Sequence, residues 1–200
     1  MSKFLILFLA FFSVSTALAE DTSVNLPQPD LSIKTPLMQA LAKRKSTKKY
    51  GSRGITEQSL GNLLWAASGQ NRDNGGLTIP TSMNSQDLDI YVLKADGTWL
   101  YIPKYHRLKK ISDKDLRFLT AKQDYVLDAA MVLIYVSGQE DMTAGMHAGS
   151  AYQNVGLYAA ATGMGTVVRA FFDKDDMARE LKLPAHKKVV VSQVLGWPRN

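Results

Sequence analysis

Cysteine is absent from the 200-residue sequence. Disulfide bonds are therefore excluded, and the chain must be stabilised by an apolar core, for which about 180 residues are sufficient. A pattern of metal ligands is lacking as well. His106, His147 and His186 lie far apart in the sequence, and none has a second histidine or a carboxylate at the spacing of metal ligands. We therefore expect no metal site.

Long apolar runs are also scarce. The run at residues 4–14 is too short to cross a membrane and is not followed by stop-transfer charges. Lys3 precedes it, and the small residues Ala17 and Ala19 follow it, which is typical of a secretory signal peptide. We predict that residues 1–19 are a signal peptide cleaved after Ala19, and that the mature protein is periplasmic or secreted. Because no cysteine follows Ala19 and the leader is removed, we expect neither lipid attachment nor stable membrane insertion.

Basic residues are concentrated in one place. Lysine and arginine outnumber aspartate and glutamate by 24 to 18, and residues 44–54, RKSTKKYGSRG, contain no acidic residue. Cations at a helix C-terminus complement the helix dipole, but this accounts for only about one or two of them. A solvated face, a nucleic-acid patch and a phosphate pocket remain as interpretations. Because the cluster is local and has no ladder of aromatic residues, we expect no nucleic-acid partner.

The order of the predicted elements indicates an α+β sandwich with a largely antiparallel sheet. Residues 20–35 are polar and contain prolines, so we predict an extended N-terminal arm ahead of one domain at residues 36–200. A helix is predicted from the N-cap Thr56 to Gly69 as its C′ residue, and another from the cap Ser112 to Leu119. Other predicted helices start near residues 37, 143 and 173. Strands are predicted on both sides of residues 96–97 and at residues 129–137, 166–172 and 187–197.

Two further segments carry patterns that suggest a binding site. The predicted helix from residue 143 is rich in glycine and alanine, which permits close approach of another backbone or a flat ligand, or else makes a tightly packed core helix. Residues 78–86, TIPTSMNSQ, offer hydroxyls and amides that can read the edge of a polar heteroaromatic ring, or else form an ordinary polar loop. The glycines at 163 and 165 are not a dinucleotide fingerprint, because they follow a helix and precede a strand. Ser150 lacks the context of a nucleophile elbow.

Taken in order, the segments RKSTK, LLWAASGQNR, PTSMNSQ, YQNVGLYAAATGMGT and VVRAFF resemble the nitroreductase family of flavoproteins. The resemblance is closest to the branch that includes the SagB-type dehydrogenases, where Leu-Leu-Trp-Ala-Ala-x-Gly-x-x-Arg is typical. It implies a nitroreductase-like α/β/α sandwich with a mainly antiparallel central sheet. It also implies a homodimer with two FMN sites at the subunit interface.

The resemblance implies roles for particular residues. The basic segment would bind the FMN phosphate and ribityl chain through Arg44, Lys45, Ser46 and Lys48, with Lys48 standing where arginine is usual and lacking its fork of donors. Arg199 would add a cation for the phosphate. The polar loop would touch the flavin of the neighbouring subunit through Pro80, Thr81, Ser82, Asn84 and Gln86. The strand after the long helix would pass beside the isoalloxazine at Val168, Arg169 and Ala170, with a backbone N–H near N5.

The function implied by the resemblance is that of an FMN-dependent oxidoreductase, which passes a hydride through flavin N5 from a reductant to a small organic acceptor. The flavin carries this chemistry, so no acid–base side chain is required and none is assigned as catalytic. Lys48 or Arg169 is the expected basic neighbour of the pyrimidine. NAD(P)H is a candidate donor, but it is scarce outside the cytoplasm. An exported flavin-binding protein without turnover, a SagB-like dehydrogenase or oxidase, and a domain without flavin therefore stay open as alternatives.

Overall fold

A seven-stranded sheet organises the chain. The computed structural model describes residues 22–199, so the predicted signal peptide and its cleavage site lie outside the described residues. The strands are β1 (Ser23–Asn25), β2 (Asp89–Lys94), β3 (Gly97–Ile102), β4 (Arg107–Ser112), β5 (Met131–Ser137), β6 (Gly165–Arg169) and β7 (Lys188–Gly196). They lie in the order β1-β4-β3-β2-β5-β7-β6, and all the paired strands are antiparallel.

Helices cover both faces of the sheet. The α-helices are α1 (Leu37–Lys43), α2 (Glu57–Ser68), α3 (Tyr125–Asp128), α4 (Asp141–Thr162) and α5 (Lys174–Glu180), with short 3-10 turns at Ser82–Asn84, Pro103–Tyr105 and Leu116–Thr120. Helix α4 packs against α1 and α2 on one side, whereas α5 packs against β7 and the 3-10 turn at Leu116–Thr120. The predicted α+β sandwich with a mainly antiparallel sheet is confirmed. Within residues 22–199, no helix is both long enough and apolar enough to span a membrane.

Strand β5 shows how the two layers form. All seven of its residues are buried. Side chains alternate along a strand, so Leu133 and Tyr135 join the core beneath α2 and α4, while Val132 and Ile134 join the second core on the opposite face. A strand that is apolar on both faces needs a helical layer on each side, which gives the three-layer sandwich.

Residues 22–36 attach the start of the described chain to both the sheet and the helices. Strand β1 pairs with β4 at one edge of the sheet. The backbone N–H of Asp30 then donates to Asn62 Oδ1 on α2 at 2.8 Å, and Thr35 Oγ1 donates to the carbonyl of Ala161 on α4 at 2.9 Å. The segment therefore crosses from the sheet edge over the helical layer before α1 begins.

One predicted element is wrong. The helix expected from Ser112 to Leu119 is replaced by a shorter 3-10 turn at Leu116–Thr120, capped by Asp115 rather than Ser112. Ser112 instead ends β4, which pairs with β1 and β3. Thr56 caps α2 as predicted, accepting from the Ser59 N–H at 3.2 Å.

Gly69 ends α2 for a different reason from the expected one. Its φ is −67°, outside the left-handed region. A Cβ at this position would lie 2.3 Å from the Trp65 ring, so the glycine is required by the close approach of that side chain.

Candidate functional site

The basic segment lies along the free edge of β6. Arg44 ends α1, its N–H donating to the Ala40 carbonyl at 2.9 Å. Beyond it, Ser46 forms a parallel bridge with Thr166, and the N–H of Thr47 donates to the Thr166 carbonyl at 3.0 Å. The backbone of Arg44, Ser46 and their neighbours is thereby fixed by the sheet, while the Arg44, Lys45 and Lys48 side chains are exposed.

A glycine lets the basic segment pack closely against β6, and α4 lies beside the same segment. A Cβ on Gly165, the first residue of β6, would lie 2.6 Å from Thr47 Cγ2 and 2.8 Å from Thr47 Cβ, so only glycine fits there. A Cβ on Gly156 of α4 would lie 3.8 Å from Arg44 Cγ. A cavity of about 390 Å³ lies here, lined by Lys45, Thr47, Gly156 and residues near the end of α4.

The C-terminal segment reaches the same region. Its Arg199 N–H donates to the Lys49 carbonyl at 3.2 Å, and Tyr50 forms an antiparallel bridge with Pro198. The structure thus brings Arg199 to the end of the basic segment. Arg199 also lines a separate cavity of about 680 Å³ together with Tyr50, Arg53 and Met131.

The predicted site residues at β6 have side chains on opposite faces of the sheet, because side chains alternate along a strand. Val168 is 37% exposed and Ala170 is exposed, whereas Arg169 between them is buried. Side chains of neighbouring strand residues point to opposite faces, so Arg169 lies on the face of the second core together with Val167.

The Arg169 guanidinium forms three hydrogen bonds on this inner face. Its Nη1 donates to the Thr120 carbonyl at 2.6 Å, its Nε to Gln123 Oε1 at 3.2 Å and its Nη2 to the Phe171 carbonyl at 3.3 Å. The expectation that Arg169 is a basic neighbour of a flavin at the β6 edge does not fit this arrangement, because the guanidinium points away from that edge. Lys48, which is exposed, remains the candidate for that role.

The polar loop at residues 80–86 has an unusual backbone. Met83, Asn84 and Gln86 have φ values of 51°, 55° and 47°. These values lie in the left-handed region of the backbone, which residues other than glycine rarely adopt. Gln86 stabilises the turn, since its N–H donates to Thr81 Oγ1 at 3.2 Å and its Nε2 donates to Asn84 Oδ1 at 3.0 Å. Backbone strain of this kind is concentrated at binding sites and persists where the surroundings hold it in place.

Two residues that the sequence did not indicate for this site, His147 and Asp87, hold the loop against α4. The N–H of Ser82 donates to Nε2 of His147 on α4 at 2.8 Å, and His147 Nδ1 lies 3.0 Å from Asp87 Oδ1. His147 is 2% exposed. No sequence spacing indicates this contact, because His147 and Asp87 are 60 residues apart. A histidine among the alanines and glycines of α4 was the available signal.

The loop and the basic segment occupy different stretches of α4. The loop contacts His147, and Arg44 lies beside Gly156. These positions differ by 156 − 147 = 9 residues, which corresponds to a rise of about 14 Å along an α-helix. Within the described chain no hydrogen bond or ion pair joins the two groups. The structure therefore brings together Arg44, Ser46, Lys48, Val168 and Arg199 in one region, and places Pro80, Thr81, Ser82, Asn84 and Gln86 in another.

Exposed apolar side chains lie on both α1 and α4. Leu37, Met38 and Leu41 of α1 are exposed, as are Met142 and Met146 of α4. Around the same face of α4, a Cβ at Gly145 would have no neighbour within 4 Å, so the helix backbone is accessible there. Exposed apolar residues on a folded protein are candidates for an interaction surface. We call these residues the α1–α4 surface.

These features define a class of protein. It is a single α/β/α sandwich with a segment of exposed cations at one sheet edge, a strained polar loop, and an accessible helix of small residues between them. Comparison with known proteins gives the family. The model of the Nitroreductase family matches residues 41–197. A nitroreductase of Methanocaldococcus jannaschii is 31% identical over 174 residues, which covers 76% of this chain and 87% of that protein.

Solved structures agree with this assignment. A nitroreductase from Ralstonia eutropha has a TM-score of 0.84 and 32% identity, over 89% of this chain and 90% of that one. A nitroreductase from Desulfovibrio desulfuricans, solved in complex with FMN, shares the fold with a TM-score of 0.59 and 21% identity, over 82% of this chain and 87% of that one. The chain belongs to the nitroreductase family.

Proposed function

We propose that this protein is an exported, homodimeric FMN-dependent oxidoreductase. The observation that carries the proposal is the basic segment at the β6 edge, whose cations Arg44, Lys45 and Lys48 are exposed and have no carboxylate partner among residues 22–199. Unpaired cations held on a rigid backbone suit a phosphate, which accepts charge-assisted hydrogen bonds. Membership of the nitroreductase family and the FMN complex of the D. desulfuricans protein support FMN as the phosphate-bearing ligand.

The residues present fit this cofactor. A cavity of about 390 Å³ lies beside the basic segment, lined by Lys45, Thr47 and Gly156. Arg44, Lys45, Ser46 and Lys48 would hold the phosphate and ribityl chain, with Arg199 as a further cation. The backbone at Val168, Arg169 and Ala170 would run along the isoalloxazine. When bound, FMN supplies hydride acceptance at N5 and transfer of electrons to an acceptor.

The second half of each site would come from a neighbouring subunit. The α1–α4 surface is apolar and accessible, as the interface of an obligate dimer requires. Dimerisation through α4 would carry the strained 80–86 loop of one subunit towards the basic segment of the other. Pro80, Thr81, Ser82, Asn84 and Gln86 would then line the ring of the flavin that the partner binds. An obligate interface of this kind buries more than about 2,000 Å² in total.

The electron donor and acceptor are proposed as classes. A nitro, quinone or enone-like molecule would stack on the open face of the ring, and NAD(P)H is one donor. The LLWAASGQNR string at residues 63–72 supports a place near the SagB-type branch, and therefore a dehydrogenase or oxidase as the second candidate. The signal-peptide pattern at residues 1–19 supports export to the periplasm or the medium. Because NAD(P)H is scarce there, a second class of donor is proposed beside it.

Equilibrium dialysis with FMN, followed by anaerobic stopped-flow with candidate donors, tests this function. We expect stoichiometric FMN binding, bleaching of the flavin by a donor and reoxidation by a quinone. A folded protein that binds no FMN would contradict the proposal. FMN binding without reduction by any donor would instead identify an exported flavin-binding protein without turnover.

A mixed dimer tests whether each site is shared. One subunit carries Arg44→Ala, and the other carries Ser82→Ala together with Asn84→Ala. If each site combines residues from both chains, one site carries all the defects and the other carries none, so half of the sites bind FMN normally. If each site belongs to one chain, no normal site remains. Purification through a different affinity tag on each subunit isolates the mixed dimer, and the absence of any normal site in it would then reject the shared-site arrangement.

A further inference from the structure

The 80–86 loop is joined to the buried part of the protein by one hydrogen bond from its 3-10 turn. Ser82, Met83, Asn84, Ser85 and Gln86 are all exposed. Most of their hydrogen bonds stay within the loop or go to Asp87 at its end, and Gln86 Nε2 also donates to the Gly75 carbonyl of another surface loop at 3.0 Å. Only the Ser82 N–H reaches a fully buried side chain, that of His147. A strained turn with so little burial depends on that contact for its position.

The partners of His147 fix where its proton lies. A backbone N–H can only donate, so Nε2, 2.8 Å from the Ser82 nitrogen, must be the unprotonated acceptor. Nδ1 then carries the hydrogen and donates it to Asp87 Oδ1 at 3.0 Å. The buried ring is therefore a neutral imidazole with its proton on Nδ1.

Asp87 is arranged to keep this state. Partial burial alone would raise the pKa of its carboxyl group, but hydrogen bonds from Ser137, Ser85 and His147 outweigh that effect and hold the pKa below its ordinary value. Asp87 is therefore an ionised acceptor at neutral pH. An ionised carboxylate next to Nδ1 favours the hydrogen on that nitrogen and leaves Nε2 free to accept.

We propose that His147, oriented by Asp87, is a positioning residue that fixes the 80–86 loop against the flavin bound by the partner subunit. The inference deepens the proposed function and rests on it for the role of the loop. His147 acts through the Ser82 N–H and touches no reacting atom. Substituting His147 should weaken flavin binding when the new side chain lacks an acceptor at the position of Nε2, because the loop then loses its hydrogen bond.

The first test needs no flavin. Nitrogen-15 NMR of the histidine rings should show His147 as a neutral imidazole with the proton on Nδ1. Hydrogen–deuterium exchange should show a protected Ser82 amide in the FMN-free protein. A ring protonated on Nε2, or a Ser82 amide that exchanges at the rate of an open loop, would overturn the inference whether or not the protein binds FMN.

The second test uses three substitutions that keep different halves of the imidazole. His147→Gln retains an acceptor near the position of Nε2, His147→Asn retains a donor near the position of Nδ1, and His147→Leu retains neither. A positioning role predicts that the Gln variant keeps Ser82 protection and FMN affinity within about threefold. The Asn and Leu variants should lose both by on the order of tenfold, the effect of leaving one donor unpaired.

The pattern across the variants separates positioning from simple packing. FMN affinity that follows thermal stability in all three variants, without regard to which half is kept, would show a structural role only. A folded Leu variant with unchanged FMN affinity would equally overturn the proposal. If the His147 variants do not fold, Asp87→Asn takes their place, and unchanged exchange at Ser82 together with unchanged FMN affinity would contradict it. A wild-type protein that binds no FMN removes the flavin role, while the NMR and exchange results still decide what holds the loop.

Discussion

Replacing Arg44 with alanine should weaken FMN binding strongly and leave the fold intact. The Arg44 side chain is exposed and has no ion pair within residues 22–199, and the hydrogen bond that ends α1 is made by its backbone N–H, which alanine retains. The side-chain stem lies beside Gly156 without being buried. We therefore expect the free energy of unfolding without FMN to change by less than about 0.5 kcal/mol.

The effect on FMN is much larger. A guanidinium that donates one charge-assisted hydrogen bond to a phosphate contributes about 1.5–3 kcal/mol. Its loss should raise the Kd for FMN by about 10- to 150-fold. Equilibrium dialysis measures the Kd, and urea denaturation of the FMN-free protein measures stability. Because the contact is electrostatic and exposed, the difference between wild type and variant should shrink as salt is added.

Arg53→Ala is the matched control. Arg53 belongs to the same basic stretch, but its guanidinium lies 3.8 Å from the centre of the Trp197 ring. The contact contributes about 0.5–1 kcal/mol to stability, so this variant should be slightly less stable and bind FMN as the wild type does. Equal loss of FMN in both variants would mean that the stretch acts only through its overall charge. A folded Arg44→Ala variant that binds FMN within twofold of wild type would refute the assignment of Arg44.

Three other substitutions test different parts of the structure. Arg169→Gln should lower the free energy of unfolding by about 2–4 kcal/mol in urea, because it removes buried hydrogen bonds to loop carbonyls, and the folded fraction should still bind FMN. Gly165→Ala should cost about 1–3 kcal/mol by collision with Thr47, and a double-mutant cycle with Thr47→Gly should recover part of it. Burial lowers the pKa of His106 below 6.5, against the raising effect of its hydrogen bond to Pro27, so the unfolded chain binds more protons. Stability should therefore fall as the pH drops through about 6.5, and His106→Gln should flatten that part of the profile.

The elements that the sequence predicts correctly are those whose own residues determine their state. Strand β5 is a continuous apolar run, and α2 has a polar cap with an apolar stripe behind it. Strand β4 was missed because Arg107, Lys109 and Lys110 obscure its alternation, and it is a strand because β1 and β3 pair with it on both sides. Its strand conformation is therefore determined by pairing with β1 and β3 rather than by its own residues.

The candidate site also combines residues that the sequence predicts with contacts that it does not. Arg44 and Ser46 follow the end of α1, and the sequence predicts a basic segment there. Its place at the sheet edge depends on the bridge between Ser46 and Thr166, which no local pattern contains. The contact of His147 with Ser82 joins parts of the chain 65 residues apart, so no local pattern contains it. The burial of Arg169 follows from strand alternation, since it shares a face with Val167, and could have been predicted once β6 was recognised.

The pairing of the basic segment with β6 also has a consequence for aggregation. An outermost strand presents unpaired backbone groups that can template the addition of another chain, and proteins protect such strands by covering them or by placing lysines along them. Residues 46 and 47 occupy part of the open side of β6, and lysines flank them. The segment that we assign to the cofactor phosphate therefore also protects the end of the sheet from self-association. Exchanging Lys45 or Lys48 for an apolar residue should therefore favour self-association at this edge, with or without bound flavin.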